Sequence, residues 1–529
     1  MIPARHRNSL RGESALADTP SPDPRVSRSI TSANNSVWSS DVFLLCCLAL
    51  ATVIFHLLIG DRYGFHRDEL ATLDDARHLA WGYVAYPPVT PFFGRISLLL
   101  FGPTLVGFRV FAAIAQGMAL VLTGLMAKEM GGRRGAQLVA AFAGTPFALI
   151  AGTLMQYVSF DYLCWVLAAY FAARLLRSDE PRWWLAISAA IGFGMLSKYT
   201  MGVFALGIVA GVFFTGARRY LRSPWLWSGV ALSILIFLPN LRWQAQNHFI
   251  SIEFLKHIHE RDIRIGRSDF LQEQWKLTLL AFPLALAGLY YTLLAPAGKR
   301  LRAIGWMFVV PLVLFVILKG RFYYFAGAYP MLYAAGSVWG GQWVASLARS
   351  WAALLRAAAF FALSADIVVA SAFAMPLAPV NSGWWKVSSK IQSDFVEEIG
   401  WPELAETVAR VRDSLPQEDR ARLGILAANY GEAGAINLFG PKYGLPTAIS
   451  GVNSFWARGY GNPPPETLIV LGHSADFLRD NFASCRVAAH SWNRYGVENE
   501  ETSDNPDIYV CRGLKPSWPE FWATYRHFG

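Results

Sequence analysis

Charge is scarce in this chain of 529 residues: Asp, Glu, Lys and Arg make up 16% of it, against 54% hydrophobic residues, with 14% aromatic. So apolar a balance excludes an ordinary soluble globular protein and leaves a membrane protein. Neither GxGxxG nor a P-loop GKS/GKT occurs, which removes the usual phosphate-cradling marks of a nucleotide-using enzyme. Cysteine is sparse, five in all, and three of them (Cys46, Cys47 and Cys164) fall inside apolar segments as packing residues. Residues 1–40 hold no apolar run and are rich in Ser, Pro and Arg, so they read as a disordered cytoplasmic tail instead of a cleaved signal. No internal repeat is evident, which argues against a transporter built from duplicated halves.

What is present is a series of apolar segments of spanning or near-spanning length, at 41–60, 104–129, 136–154, 159–177, 183–197, 200–216, 225–240, 276–295, 303–318, 323–345 and 353–375. About eleven transmembrane helices follow. Cytoplasmic loops carry the Lys and Arg excess, and alternate turns here do so: Arg133 and Arg134, then Arg174, Arg177 and Arg182, then Arg218, Arg219 and Arg222, then Lys299, Arg300 and Arg302, then Arg349 and Arg356. With those turns inside, the 61–103 loop, the 241–275 loop and all of 376–529 lie outside. Net charge divides the same way, +14 over 1–375 and −4 over 376–529. The expected organisation is a cytoplasmic tail over 1–40, a membrane domain over 41–375 and a small periplasmic α/β domain over 376–529.

The chemistry collects on that outer face. GFHRDELATLDDARHLAWGYVAYPP, from Gly64 to Pro88, sets Asp68 and Glu69 beside His66 and Arg67, with Asp74 and Asp75 two helical turns on. Taken by itself this is either a solvated loop that caps the next helix or a catalytic acid cluster at the membrane edge. Asp161 falls just inside the fourth span, where a carboxylate needs a hydrogen-bonding neighbour or a wet cavity. Lys198 stands at the apex between two short apolar segments, placed to snorkel to lipid phosphate or to hold a ligand. The turn KGRFYY puts Lys319 and Arg321 before Tyr323 and Tyr324, against the charge rule for an outer turn. Phosphate is the natural partner of such a fork and point charge, and headgroup anchoring is the plain alternative. Arg242, Lys256, His257, His259, Arg261, Arg264 and Arg267 make 241–275 a basic lid; His257-x-His259 lacks metal-ligand spacing.

An Asp-Glu pair after the first span, a Pro-Pro closing that loop, an Asp opening the fourth span, a Ser-Lys apex and a Lys-Gly-Arg-x-Tyr-Tyr turn resemble the polyprenyl-phosphate-sugar-dependent glycosyltransferases of the GT-C class. More narrowly, the chain resembles bacterial relatives of the protein O-mannosyltransferases and of the lipid A aminoarabinose transferases. Residues 41–345 carry the likeness, PNLRWQAQNHFISIEFL at 239–255 fits it, and NYGEAGAINLFGPKYGLP with Asn453–Trp456 is similar to the tail of a bacterial subset. The pattern departs at Tyr86, Ala71 and Ala85, where Lys, Arg and an acid are expected, and this leaves the sugar open. The resemblance implies an inverting transfer from a polyprenyl-phosphate-linked sugar to an envelope acceptor: lipid A, lipopolysaccharide core, another glycan or a protein hydroxyl. It implies Asp68 as general base with Glu69 or Asp161 orienting acceptor or sugar, and Lys198, Lys319, Arg321 and Tyr324 at the donor phosphate. No cofactor is implied, and nothing in the sequence supports a divalent cation. The competing class is a lipid or glycan flippase, disfavoured because the acids cluster at one face instead of the midplane.

In the C-terminal part, WPELAETVARVRDSL has helical periodicity, and LGILAAN, TLIVLG, CRVAAH and DIYVC read as strands. Asn429, Tyr430, Gly431 and Glu432 follow one strand, as a ligand loop or a plain turn. Cys485 and Cys511 are the only cysteines there, so an oxidising outer compartment favours a disulfide between them.

Overall fold

The computed structural model describes residues 24–265 and 270–529, with side chains from 41 onward. Residues 1–23 of the expected tail, and Arg267 of the expected lid, lie outside the described residues. The chain divides into two compact units, Met1–Leu44 and Leu45–Gly529; the described part of the first is the start of a helix, and all that follows concerns the second.

Each apolar segment read from the sequence is helical. In order, the helices of this half are α1 (Pro24–Ile59), α2 (Arg67–Arg77), α3 (Val89–Phe101), α4 (Leu105–Glu129), α5 (Arg134–Ala151), α6 (Tyr157–Ser178), α7 (Trp183–Met195) and α8 (Met201–Phe213). Then come α9 (Pro224–Gln246), α10 (Ile250–Arg264), α11 (Phe270–Thr278), α12 (Phe282–Leu293), α13 (Arg302–Ile317), α14 (Tyr329–Ala345) and α15 (Arg349–Ala374). Among the described residues, eight helical segments are long and apolar enough to cross a membrane, or nine if α8 and the 100° bend into Gly216–Arg222 form one span. The expected eleven is higher because it also includes α14, with 17 residues, and α7 and α8, with 13 residues each. At 1.5 Å per residue that is about 20 Å, short of a hydrocarbon core about 30 Å thick. The segment 241–275 is not a loop: α9 runs on to Gln246, and α10 and α11 fill the remainder apart from 266–269.

An aromatic core lies under the two turns that matter most. Trp165, Phe204 and Phe325 are fully buried, Trp165 stacks on Phe204 at 4.3 Å, and Phe325 meets Phe308 edge-on at 4.9 Å. These rings join α6, α8, α13 and the turn after Arg321. Rings of this size interdigitated at such distances leave the apex and the KGRFYY turn little freedom.

The C-terminal half contains α16 (Gly383–Ile391), α17 (Trp401–Asp413), α18 (Gln417–Ala421), β1 (Leu423–Ala427), α19 (Tyr430–Phe439), β2 (Ala448–Ile449) and β3 (Thr467–Leu471). It ends with α20 (Ala475–Asn481), β4 (Phe482–His490), α21 (Glu500–Ser503), β5 (Asp507–Leu514) and α22 (Trp518–Tyr525). The sheet order is β2-β1-β3-β5-β4, with β1 parallel to β2 and β3, and β5 antiparallel to β3 and β4. All four strand-like runs are strands, and WPELAETVARVRD is α17. Cys485 and Cys511 are directly opposite on β4 and β5 and form a disulfide. Helix α19 leaves the carboxyl end of β1 and packs on α2, so this domain meets the membrane half at the acidic loop.

Candidate active site

The run HRDE explains how α2 begins. His66 is the N-cap: its Nδ1 accepts from the Asp68 N–H at 3.2 Å, and the Glu69 carboxylate accepts from the His66 N–H at 3.0 Å. This reciprocal cap satisfies two of the orphan amides of the first turn and fixes the directions of two adjacent acids. They point apart. Glu69 is fully buried, accepting from Arg109 Nε and Nη2 at 2.9 and 2.6 Å and from the Met155 N–H at 2.8 Å. Arg109 also donates to the Gly60 and Gly64 carbonyls and to Glu398. Burial pushes the Glu398 carboxyl up to about 7, against the pull of Arg109. Glu69 therefore ties the loop to α4 and to the turn before α6, and it does not line the cavity that Asp68 faces.

That cavity has a volume of about 410 Å³. Asp68, Ala71, Thr72 and Asp75 line it from one face of α2, the i, i+3, i+4, i+7 stripe of a helix. The Asp68 carboxylate accepts from Tyr430 Oη at 3.0 Å and from Gln156 Nε2 at 3.1 Å. Asp75 accepts from Tyr86 Oη at 2.7 Å and from Arg458 at 2.5 Å; burial pushes its carboxyl up to about 6 although Arg458 opposes the rise. Burial acts on Asp74 too, but His78, Arg458 at 2.6 Å and Asn437 at 2.8 Å together hold it below the usual range.

Turns between the membrane helices bring cations to the same cavity. At the apex between α7 and α8, the Lys198 ammonium lies 2.9 Å from the ring centroid of Tyr324 and 4.0 Å from that of Tyr157. Asp161 stands behind it, off the cavity wall, accepting from Thr200 Oγ1 at 3.0 Å and Trp165 Nε1 at 3.2 Å. It anchors the apex to α6. Lys319, at a positive φ of 47° in its turn, is exposed and lines the cavity. Arg321 lines it too, but its fork is engaged: Nε and Nη2 donate to the two oxygens of Asp262 on α10 at 2.6 and 3.0 Å. His259 reaches the cavity wall, while His257 packs on Phe528. Among the described residues no three His, Cys, Asp or Glu side chains are grouped to hold a metal ion.

One cavity thus joins Asp68, Lys198, Lys319, Arg321 and Tyr324 of the residues expected from the sequence, and leaves out Glu69 and Asp161. Sequence reasoning missed Arg109, Gln156, Asp262 and Arg458, and took Tyr430 only as part of a loop or turn. Arg109 had a signal, a lone charge within an apolar span. The others are ordinary polar residues that become site residues through tertiary contact.

The fold is an ArnT-like GT-C fold: the structure of ArnT from Cupriavidus metallidurans in the apo state superposes with a TM-score of 0.51 at 15% identity, covering 89% of this chain and 98% of that one. The same protein bound to undecaprenyl phosphate gives 0.49, again at 15% identity, covering 89% and 97%. Residues 85–243 match the family described as dolichyl-phosphate-mannose-protein mannosyltransferase. Two curated relatives, both named undecaprenyl phosphate-alpha-4-amino-4-deoxy-L-arabinose arabinosyl transferase 1, come from Pseudomonas fluorescens. The Pf0-1 protein is 25% identical over 251 residues and the Pf-5 protein 24% over 248, each over 43% of this chain. The match spans less than half of those relatives, 42% and 44% of their length. These likenesses agree with the resemblance read from the sequence.

Proposed function

We propose that this protein is a multi-pass glycosyltransferase of the bacterial inner membrane. It moves a sugar from a polyprenyl-phosphate carrier to an envelope acceptor on the periplasmic face. The domains would be the cytoplasmic tail over 1–40, the catalytic membrane domain over 41–375 and a periplasmic α/β domain over 376–529. One observation carries the reading: a single cavity is lined both by Asp68 of α2 and by Lys198, Lys319 and Arg321 from turns of the membrane half.

That pairing suits the reaction. A phosphate-linked sugar already has a good leaving group, so the protein must accept a proton from the acceptor hydroxyl and stabilise the released anion. Asp68 takes the proton as the acceptor oxygen bonds to the anomeric carbon. The carbon–oxygen bond to phosphate breaks with inversion, and polyprenyl phosphate leaves toward Lys198 and Lys319. Tyr324 backs the Lys198 ammonium. Glu69 and Asp161 act indirectly, the first by fixing the start of α2 and the second by fixing the apex. Lipid A is the acceptor class that the resemblance to the aminoarabinose transferases implies, and the sugar is left open by Tyr86, Ala71 and Ala85.

The test uses purified full-length protein in lipid nanodiscs with lipid A present. Undecaprenyl phosphate carrying 4-amino-4-deoxy-L-arabinose or mannose serves as donor, and release of undecaprenyl phosphate is the readout. Wild type should turn over at least one donor. Asp68→Asn should slow single-turnover release at least about 10²-fold while still binding undecaprenyl phosphate. Lys198→Ala and Lys319→Ala should weaken that binding. No release from either donor, or wild-type release by Asp68→Asn, would overturn the reading.

A further inference from the structure

The proposed base receives one of its two hydrogen bonds from outside the membrane domain. Tyr430 donates to Asp68 across a sequence separation of 362 residues, and its ring lies 5.1 Å from the Arg67 guanidinium. It opens α19, capped by Asn429, whose side chain accepts from the Glu432 N–H at 2.9 Å. The helix is held against α2 at backbone distance. A Cβ at Gly434 would lie 2.7 to 2.9 Å from Leu70 atoms, two of them backbone, and one at Gly431 would lie 2.6 Å from Trp401. Only glycine permits that approach. It brings the first residue of α19 over the first turn of α2.

We propose that Tyr430 is a positioning residue for the transfer reaction, orienting the Asp68 carboxylate so that the C-terminal α/β domain is a constituent of the catalytic site. The inference rests on the assignment of Asp68 as base. Gln156 and Tyr430 each hold one carboxylate oxygen, which fixes the plane of the group and leaves its remaining lone pairs directed at the cavity. Burial, and then the Asp68 charge, push the Tyr430 phenol well above its ordinary range, so it stays protonated and donates. A base misaligned by a lost hydrogen bond still binds its substrates but reaches the productive geometry less often. The effect belongs in kcat.

The experiment is a double-mutant cycle on the full-length protein in nanodiscs, using the donor that wild type turns over and undecaprenyl phosphate as the binding probe. Tyr430→Phe keeps the ring in place and removes only the hydroxyl. Its kcat should fall about 10-fold, as for loss of a hydrogen bond to a charged group, with undecaprenyl phosphate affinity within about 2-fold of wild type. In the Asp68→Asn background the same change should add little, because two residues acting through one group are not additive. An unchanged kcat, or an equal further loss in the Asp68→Asn background, sinks the role given to Tyr430 and leaves Asp68 standing. Binding that weakens in step with kcat also overturns it, since Tyr430 would then hold the donor. Wild-type turnover by Asp68→Asn is the distinct result that removes the base assignment itself.

Discussion

Asp68 and Glu432 are both carboxylates beside α19, and burial sends them to different uses. Asp68 faces the cavity, whereas Glu432 is buried beneath the helix start, accepting from the Ala428 and Asn429 N–H groups at 3.0 and 3.2 Å. Burial, reinforced by Glu501, pushes the Glu432 carboxyl from 4.5 up to about 8. Between those values the folded protein keeps a proton that the unfolded chain has released, so the unfolded state binds fewer protons and stability falls as pH rises through that window. Glu398 and Asp75 have the same sign, so the difference between two proteins is the informative quantity. Thermal unfolding followed from pH 5 to pH 8 should show a steeper loss of stability for wild type than for Glu432→Gln. Equal slopes would mean that Glu432 ionises in the folded protein as it does in the unfolded chain.

At the scale of elements, α10 changes the meaning of the KGRFYY turn. The sequence suggested a basic lid over 241–275 and a phosphate-binding cation cluster in KGRFYY; the structure sets an acid of the lid segment, Asp262, against Nε and Nη2 of Arg321. A bidentate carboxylate occupies the geometry that a phosphate would use. An incoming lipid phosphate therefore competes with Asp262 for the guanidinium, or relies on Lys198 and Lys319 without it. Asp262→Asn removes the competing charge, so undecaprenyl phosphate should bind several-fold more tightly than to wild type, and the gain should vanish in Asp262→Asn/Arg321→Ala. Binding curves from nanodiscs decide this. Unchanged affinity in Asp262→Asn would place Arg321 in holding α10 instead of in holding phosphate.

For the whole molecule, the basic turns between helices orient the proposed site. The turns after α4, α6, α8 and α12 carry Arg133, Arg182, Arg219 and Lys299, and α15 opens on Arg349 beyond the turn after α14; cytoplasmic loops collect such charge. The cavity, the acidic loop and the α/β domain belong to the opposite end of these helices. A periplasm-dependent reporter fused after Gly529 should be active and a cytoplasm-dependent one silent. The reverse would put the proposed site on the cytoplasmic face and overturn the face assignment.

How much of this was legible depended on the range of the interaction. Apolar runs announced α1, α4, α5, α6 and α9 because a spanning helix satisfies its own backbone and must be apolar along its length, a local property. Strand runs such as TLIVL and the pattern WPELAETVARV were readable for the same reason. The short pair α7 and α8, thirteen residues each, was read as two crossings from its apolar runs and from the basic residues on either side of the pair, Arg182 and Arg219. Asp68 and Glu69 were indistinguishable as neighbours in sequence. The cap of α2 and the buried Arg109 separate them, turning one to the cavity and the other into an ion pair whose rupture would cost about 3–5 kcal/mol.

By itself, then, the sequence determined the membrane character, the run of helices, the strands of the α/β domain and the clustering of unusual charge toward one face. Those follow from composition and periodicity, which act over a few residues. Only the tertiary structure decided that Asp68 and not Glu69 faces the cavity, that Asp161 stands behind Lys198, that Arg321 is held by Asp262, and that Tyr430 reaches Asp68. The hydrogen bonds behind these outcomes join residues 39 to 362 positions apart. Such contacts depend on how closely two helices approach and which way a side chain is turned, and no local pattern encodes either.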